Sequence, residues 1–257
     1  MIFRYLAAIL VPALLLLGVY CTALPELGHE IKAAARGGDA AAQVELARMY
    51  YSGDTFEPDM TESLRWLNAA ADQKYPEALS TLGLFYLSGH GVEKDEARGF
   101  AMITEAAELG YPQAQAYLAF AYGSGTGVKP DTAKFLHWVR LAAENNDPRS
   151  QFNLAVLKLT GKLVDQDVPG ARALLESSAD QGYTEAQTML GEFLARGIQG
   201  EPDLVEACKW FAIAGTKGHQ RANSLLMSIV NSMTKDQMNE AADRANAWLE
   251  ARGQGVR

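Results

Sequence analysis

The side chains in this chain that could do chemistry are few and scattered. Four histidines, His29, His90, His137 and His219, stand far apart in the sequence, and no two are spaced to share a helix face. The two cysteines, Cys21 and Cys208, are equally distant, so no disulfide framework and no Cys-x-x-Cys metal or redox pair can be drawn. No H-E-x-x-H and no G-x-S-x-G occurs. Gly123-Ser124-Gly125-Thr126-Gly127 looks like a phosphate loop but lacks the following lysine, and it joins two expected helices rather than a strand and a helix. Aspartates recur in a regular column, Asp59, Asp95, Asp131, Asp167 and Asp203, which could suggest paired acids. Each instead stands where a helix should begin, and helix capping explains all of them. These observations predict no catalytic residue, no metal and no cofactor.

The aspartates are one column of a repeat. Starting at Ala42 and stepping by 36 residues lands on Ala78, Ala114, Ser150, Ala186 and Ala222, with no insertion or deletion. A leucine stands four residues into each unit: Leu46, Leu82, Leu118, Leu154, Leu190 and Leu226. A glycine stands eleven in: Gly53, Gly89, Gly125, Gly161 and Gly197. A fixed period of this size marks a solenoid, whose units bury their apolar faces against one another.

Within a unit, Ala78, Leu82, Phe85 and Tyr86 share one face of a helix A that Gly89 stops. Asp95 opens helix B, where a carboxylate suits the orphan N–H groups and the positive end of the dipole. Helix B carries Trp66, Met102, Trp138, Leu174 and Trp210 in one column and Leu67, Ile103, Val139, Leu175 and Phe211 in the next. Small residues follow four and five positions later, such as Ala106–Ala107, and let neighbouring helices interlock. Gly110, Gly182 and Gly218 then end helix B, with Asn146 in the same place in the third unit.

This pattern resembles the Sel-one-like repeat (SLR), a relative of the tetratricopeptide repeat. Units two and three match best, through Leu82-Gly83-x2-Tyr86-x2-Gly89-x-Gly91-Val92-x2-Asp95 and its counterpart Leu118 to Asp131. The first unit departs in its loop, with Thr55 and Phe56; the fourth has Lys158 for the tyrosine and Leu163 for the second glycine; the fifth has Leu194, Gln199 and Gly200. The resemblance implies an all-α fold, a right-handed α-α superhelix of five 36-residue helix-turn-helix repeats with helical caps, and a protein-interaction scaffold rather than an enzyme. Some cysteine-rich members bind or hydrolyse β-lactams, but this chain lacks their paired cysteines.

The units are expected at 42–77, 78–113, 114–149, 150–185 and 186–221. Residues 24–41 read as an N-terminal cap helix, and 222–257 as C-terminal capping helices. There Thr234-x-x-Gln237 has the form of a capping box before an amphipathic helix. Residues 1–23 read as a secretory signal, with Arg4 before an apolar run and small residues near a cleavage site after Ala23. Two alternatives stand. One is an uncleaved anchor over 6–24, and the other is lipidation at Cys21, disfavoured by bulky Tyr20. The expected location is therefore periplasmic or secreted, with the inner membrane reached only through this segment.

The net charge of −8, without Lys/Arg clusters, argues against nucleic acid and against an anionic lipid surface. By analogy with tetratricopeptide arrays, positions two, six and nine of each unit should line a concave surface. Units two to four then offer Leu84, Leu87, Phe120, Phe152, Val156 and Leu159, an apolar stripe suited to an apolar segment or amphipathic helix of a partner protein. The competing reading is that tight packing buries these residues within the stack. Two further functions remain alternatives, a peptidoglycan- or small-molecule-binding protein and a secreted factor acting on a host.

Overall fold

Each of the five repeats folds as two helices of 12 or 13 residues, with a glycine loop and an aspartate punctuating the apolar period between them. The computed structural model describes residues 20–253, with side chains from residue 28, and holds thirteen helices and no strand among them. They are α1 (Tyr20–Arg36), then A and B helices in alternation: α2 (Ala40–Ser52), α3 (Met60–Asp72), α4 (Pro76–Ser88), α5 (Glu96–Glu108), α6 (Pro112–Ser124), α7 (Thr132–Glu144), α8 (Pro148–Thr160), α9 (Val168–Asp180), α10 (Thr184–Ala195) and α11 (Leu204–Thr216). The last two are α12 (Gln220–Val230) and α13 (Lys235–Glu250). Most of the signal-or-anchor segment lies outside the described residues. Among those described, no helix is long and apolar enough to cross a membrane.

All five aspartates of the column cap their B helices. Each carboxylate accepts the N–H three residues on, from Glu62, Arg98, Lys134, Gly170 and Glu206, at 2.9–3.0 Å. The N–H groups of four of them bind back to helix A: Asp59 to the Tyr50 carbonyl, Asp95 to Tyr86, Asp167 to Lys158 and Asp203 to Leu194. This contact uses only the backbone, which explains why the fourth and fifth units can replace the tyrosine without losing the turn. Lys158 adds a second link, since its Nζ donates to Asp167 Oδ2 at 2.6 Å.

B helices end in a shared motif. The N–H of Tyr75, Tyr111, Asp147, Tyr183 and His219 reaches back five residues to the carbonyls of Ala70, Ala106, Ala142, Ser178 and Ala214. The motif needs a left-handed residue just before the donor, and glycine or asparagine supplies it in most units. In the first unit Lys74 takes φ 57° instead. The loop column behaves alike: Leu163 (φ 66°) and Gln199 (φ 75°) adopt the backbone that Gly91 and Gly127 adopt elsewhere. In the fifth unit helix A stops one residue early, at Ala195, and Gly197 is the left-handed residue beyond it.

A second column was not foreseen. Gln43, Gln115, Gln151 and Gln187 are buried, and each Nε2 donates to the carbonyl eight residues before it, at the end of the preceding helix. Gln43 and Gln151 also accept from Gln73 and Gln181 at 2.8 and 2.9 Å. Consecutive repeats are thus joined by polar as well as apolar contacts.

The helices group into two compact units, one ending at Pro130 and one beginning at Asp131. In the first, Leu46, Leu82, Leu67 and Ala70 form a core that α1 closes with Ile31 and Ala35. The divergent first loop has a reason here. Phe56 stacks on Tyr50 at 5.0 Å, lies under the Lys32 ammonium, and packs where Gly28 leaves no room for a side chain. In the second unit, Leu175, Leu190, Phe193 and Trp210 pack with Trp248 and Leu249 of α13. The predicted capping box at Thr234 and Gln237 is present. In α13 Ala241, Ala245, Trp248 and Leu249 are buried, while Ala242 is exposed.

Candidate functional site

Position six of an A helix lies between two constraints. The leucine two residues earlier must enter the core, and helix B covers only one side. In the first unit Leu82 and Leu118 are fully buried, whereas Leu84 is 43% and Phe120 55% exposed. Tyr51, at position nine of the first repeat, is 48% exposed. Packing therefore does not bury Leu84 and Phe120, and large apolar side chains stand on an uncovered helix face.

Leu87 is different. A Cβ on Gly99 would lie 2.9 Å from Leu87 Cγ and 2.6 Å from the Gly83 carbonyl oxygen. Leu87 thus fills the crossing where α4 and α5 come together on two glycines, and its half-buried side chain is committed to that contact.

In the second unit Phe152, Val156 and Leu159 are all half-buried. Phe152 and Leu159 pack against the core, and Phe152 tilts against Tyr183 with ring centroids 5.5 Å apart. Beside Phe152 lies a small cavity of about 110 Å³ lined by Glu185, Thr188, Glu192, His219 and Arg221. Four of its polar groups are paired with one another. His219 Nδ1 accepts the Ala222 N–H at 3.3 Å, capping α12, and stands 3.1 Å from Thr188 Oγ1. Glu192 pairs with Arg221 at 2.6 Å. The capping role of His219 emerges from the ring's orientation.

Among the described residues no group of three or more His, Cys, Asp or Glu side chains is placed to hold a metal ion. Cys208 is buried, and burial pushes its thiol pKa up, which disfavours the reactive thiolate. Asp167 is held below the ordinary carboxyl range, first by Lys158 and then by the Gly170 N–H. Both belong to the cap and its ion pair.

The described residues thus offer uncovered apolar side chains on A helices and a helical scaffold that fixes their spacing. The Sel1 repeat family signature matches residues 40–75, 76–111, 112–147, 148–183 and 184–219, each beginning two residues before a repeat marker, Ala42, Ala78, Ala114, Ser150 and Ala186. Among solved structures, a Sel1 repeat protein from Oxalobacter formigenes is 27% identical with a TM-score of 0.68, the match covering 89% of this chain and 98% of that one. The protein c5321, a protective antigen present in uropathogenic Escherichia coli strains, displays an SLR fold and is 30% identical with a TM-score of 0.66. That match covers 89% of this chain but 53% of the other, so this chain spans about half the length of the Escherichia coli protein. A Pseudomonas aeruginosa protein at 19% identity and a TM-score of 0.51, covering 77% of this chain and 75% of that one, shares the fold alone. No match is found among curated protein sequences. Five consecutive matches over most of the chain, on a fold of paired helices, show that it belongs to the Sel1 repeat family.

Proposed function

We propose that this protein is an exported scaffold that holds a partner protein on the uncovered face of its A helices, within a complex of the cell envelope. The observation that carries the reading is the exposure of Leu84 and Phe120, each two residues from a fully buried leucine. Full burial of such a side chain is worth roughly 1.5–3 kcal/mol, and with Leu84 and Phe120 about half exposed, roughly half of that for each is available on docking. An apolar segment or amphipathic helix of a partner would recover it. Export is proposed from the apolar segment before residue 24, and the absence of basic clusters turns the reading away from nucleic acid.

The test is capture of the partner by the full chain from its native envelope, with Leu84→Asp/Phe120→Asp beside the parent. The double variant should lose capture at least about tenfold and keep its helicity and melting temperature. Retained capture, or a collapse of melting temperature like that expected of Leu82→Asp, would overturn the assignment of this face. A second reading, a factor exposed to a host, is favoured by the likeness to the protective antigen. Antibody labelling of intact cells tests it, because a protein enclosed in the envelope stays unlabelled.

A further inference from the structure

The same face of the first unit carries a cavity of about 220 Å³ between α2, α3 and α4. Its walls are Val44, Leu67 and Phe85, with Arg48 and Glu77 also lining it. One lining group is unlike the rest. Ser63 is 1% exposed, and its Oγ has no hydrogen-bond partner among the described residues. The equivalent positions in the later repeats are Gly99, Phe135, Ala171 and Ala207, so helix packing does not require a hydroxyl there. A buried hydroxyl without a partner is unfavourable, and a polar atom seated at full depth in the cavity would satisfy it.

The lining also contains aromatic rings. Tyr51 and Phe85 both line the cavity, with ring centroids 5.9 Å apart, and His90 meets them edge-on at 5.6 and 5.1 Å. The volume falls below the ~300–1,000 Å³ of pockets that take a whole drug-sized ligand. It suits a single large side chain.

We infer that this cavity is an anchor pocket for a tyrosine side chain of the partner segment, with the ring against Phe85 and Tyr51 and the phenol hydroxyl on Ser63 Oγ. This rests on the reading of the A-helix face as a protein-docking surface. Tyrosine satisfies both features of the pocket, since it brings a flat apolar body and a polar tip. Phenylalanine would leave Ser63 orphaned, and aliphatic side chains would not use the rings.

The experiment titrates the full chain with p-cresol and with toluene, following by NMR the methyl resonances of Val44, Ala47 and Thr81, all of which line the cavity. In the parent, p-cresol should bind roughly five- to tenfold more tightly than toluene. Ser63→Ala should fold normally and reverse the preference, because the phenol hydroxyl is then buried without a partner. Equal affinities in the parent, a preference that survives Ser63→Ala, or the absence of saturable shifts would each overturn the inference. The titration needs no partner protein, so its failure leaves capture through Leu84 and Phe120 standing, and loss of that capture reading leaves the titration interpretable.

Discussion

Two kinds of residue show how a repeat tolerates substitution. The left-handed positions at Lys74 and Leu163 are imposed by the turns around them, since the same backbone recurs at the equivalent of Lys74 in all five copies and at the equivalent of Leu163 in copies two to five, whatever the side chain. A side chain with a Cβ is disfavoured there by roughly 1–2 kcal/mol. Lys74→Gly and Leu163→Gly should therefore each raise unfolding free energy by about 0.5–1 kcal/mol after the extra chain entropy of glycine is subtracted, read by urea denaturation. Lys74 also pairs with Glu105 at 3.1 Å, but the pair is exposed and offsets little. At Asp167 the folded pKa lies below the unfolded one, so its stabilising contribution is present above the unfolded pKa and is lost as pH falls through the folded value. The carboxyl carbon of Asp167 should titrate below the ordinary aspartate range by NMR. Lys158→Met, which removes the largest cause, should move the midpoint upward.

An element in this protein is a thirteen-residue helix, too short to persist alone, held by its caps and by one buried leucine. Leu118 is fully buried, and Leu118→Ala should cost about 2–5 kcal/mol by thermal or chemical melting. Asp131 caps its helix through the Lys134 N–H at 3.0 Å, and Asp131→Ala should cost about 1 kcal/mol. The ratio of the two is the informative quantity. Packing sets most of the stability, and the cap sets where the helix begins. A near-zero effect at Leu118 would contradict the register of the whole array.

For the whole molecule, stability approximates a sum of repeat and nearest-neighbour terms, and charge acts on association rather than on fold. With a net charge of −8 the chain attracts basic partners over long range. The proposed docking face is apolar, so capture should change by less than about threefold between ~0.05 and ~0.5 M salt, a range over which exposed charges become screened. A loss of more than about tenfold, measured by equilibrium pull-down, would show that charge rather than Leu84 and Phe120 holds the partner.

The period, the helix starts at the five aspartates, the C-terminal capping box and the identity of the core columns were all legible in the amino-acid order. Each depends on contacts within a few residues or on a side-chain period that local geometry imposes. The exposure of the stripe was not. Leu84 and Leu87 are three residues apart on one helix, yet Leu84 stands uncovered and Leu87 is spent on the crossing at Gly83 and Gly99. Which of the two is free depends on how closely a second helix approaches, and residues distant in the chain set that distance. The orphan hydroxyl of Ser63 likewise has no signature in a string of letters, because the absence of a partner is a property of everything packed around it.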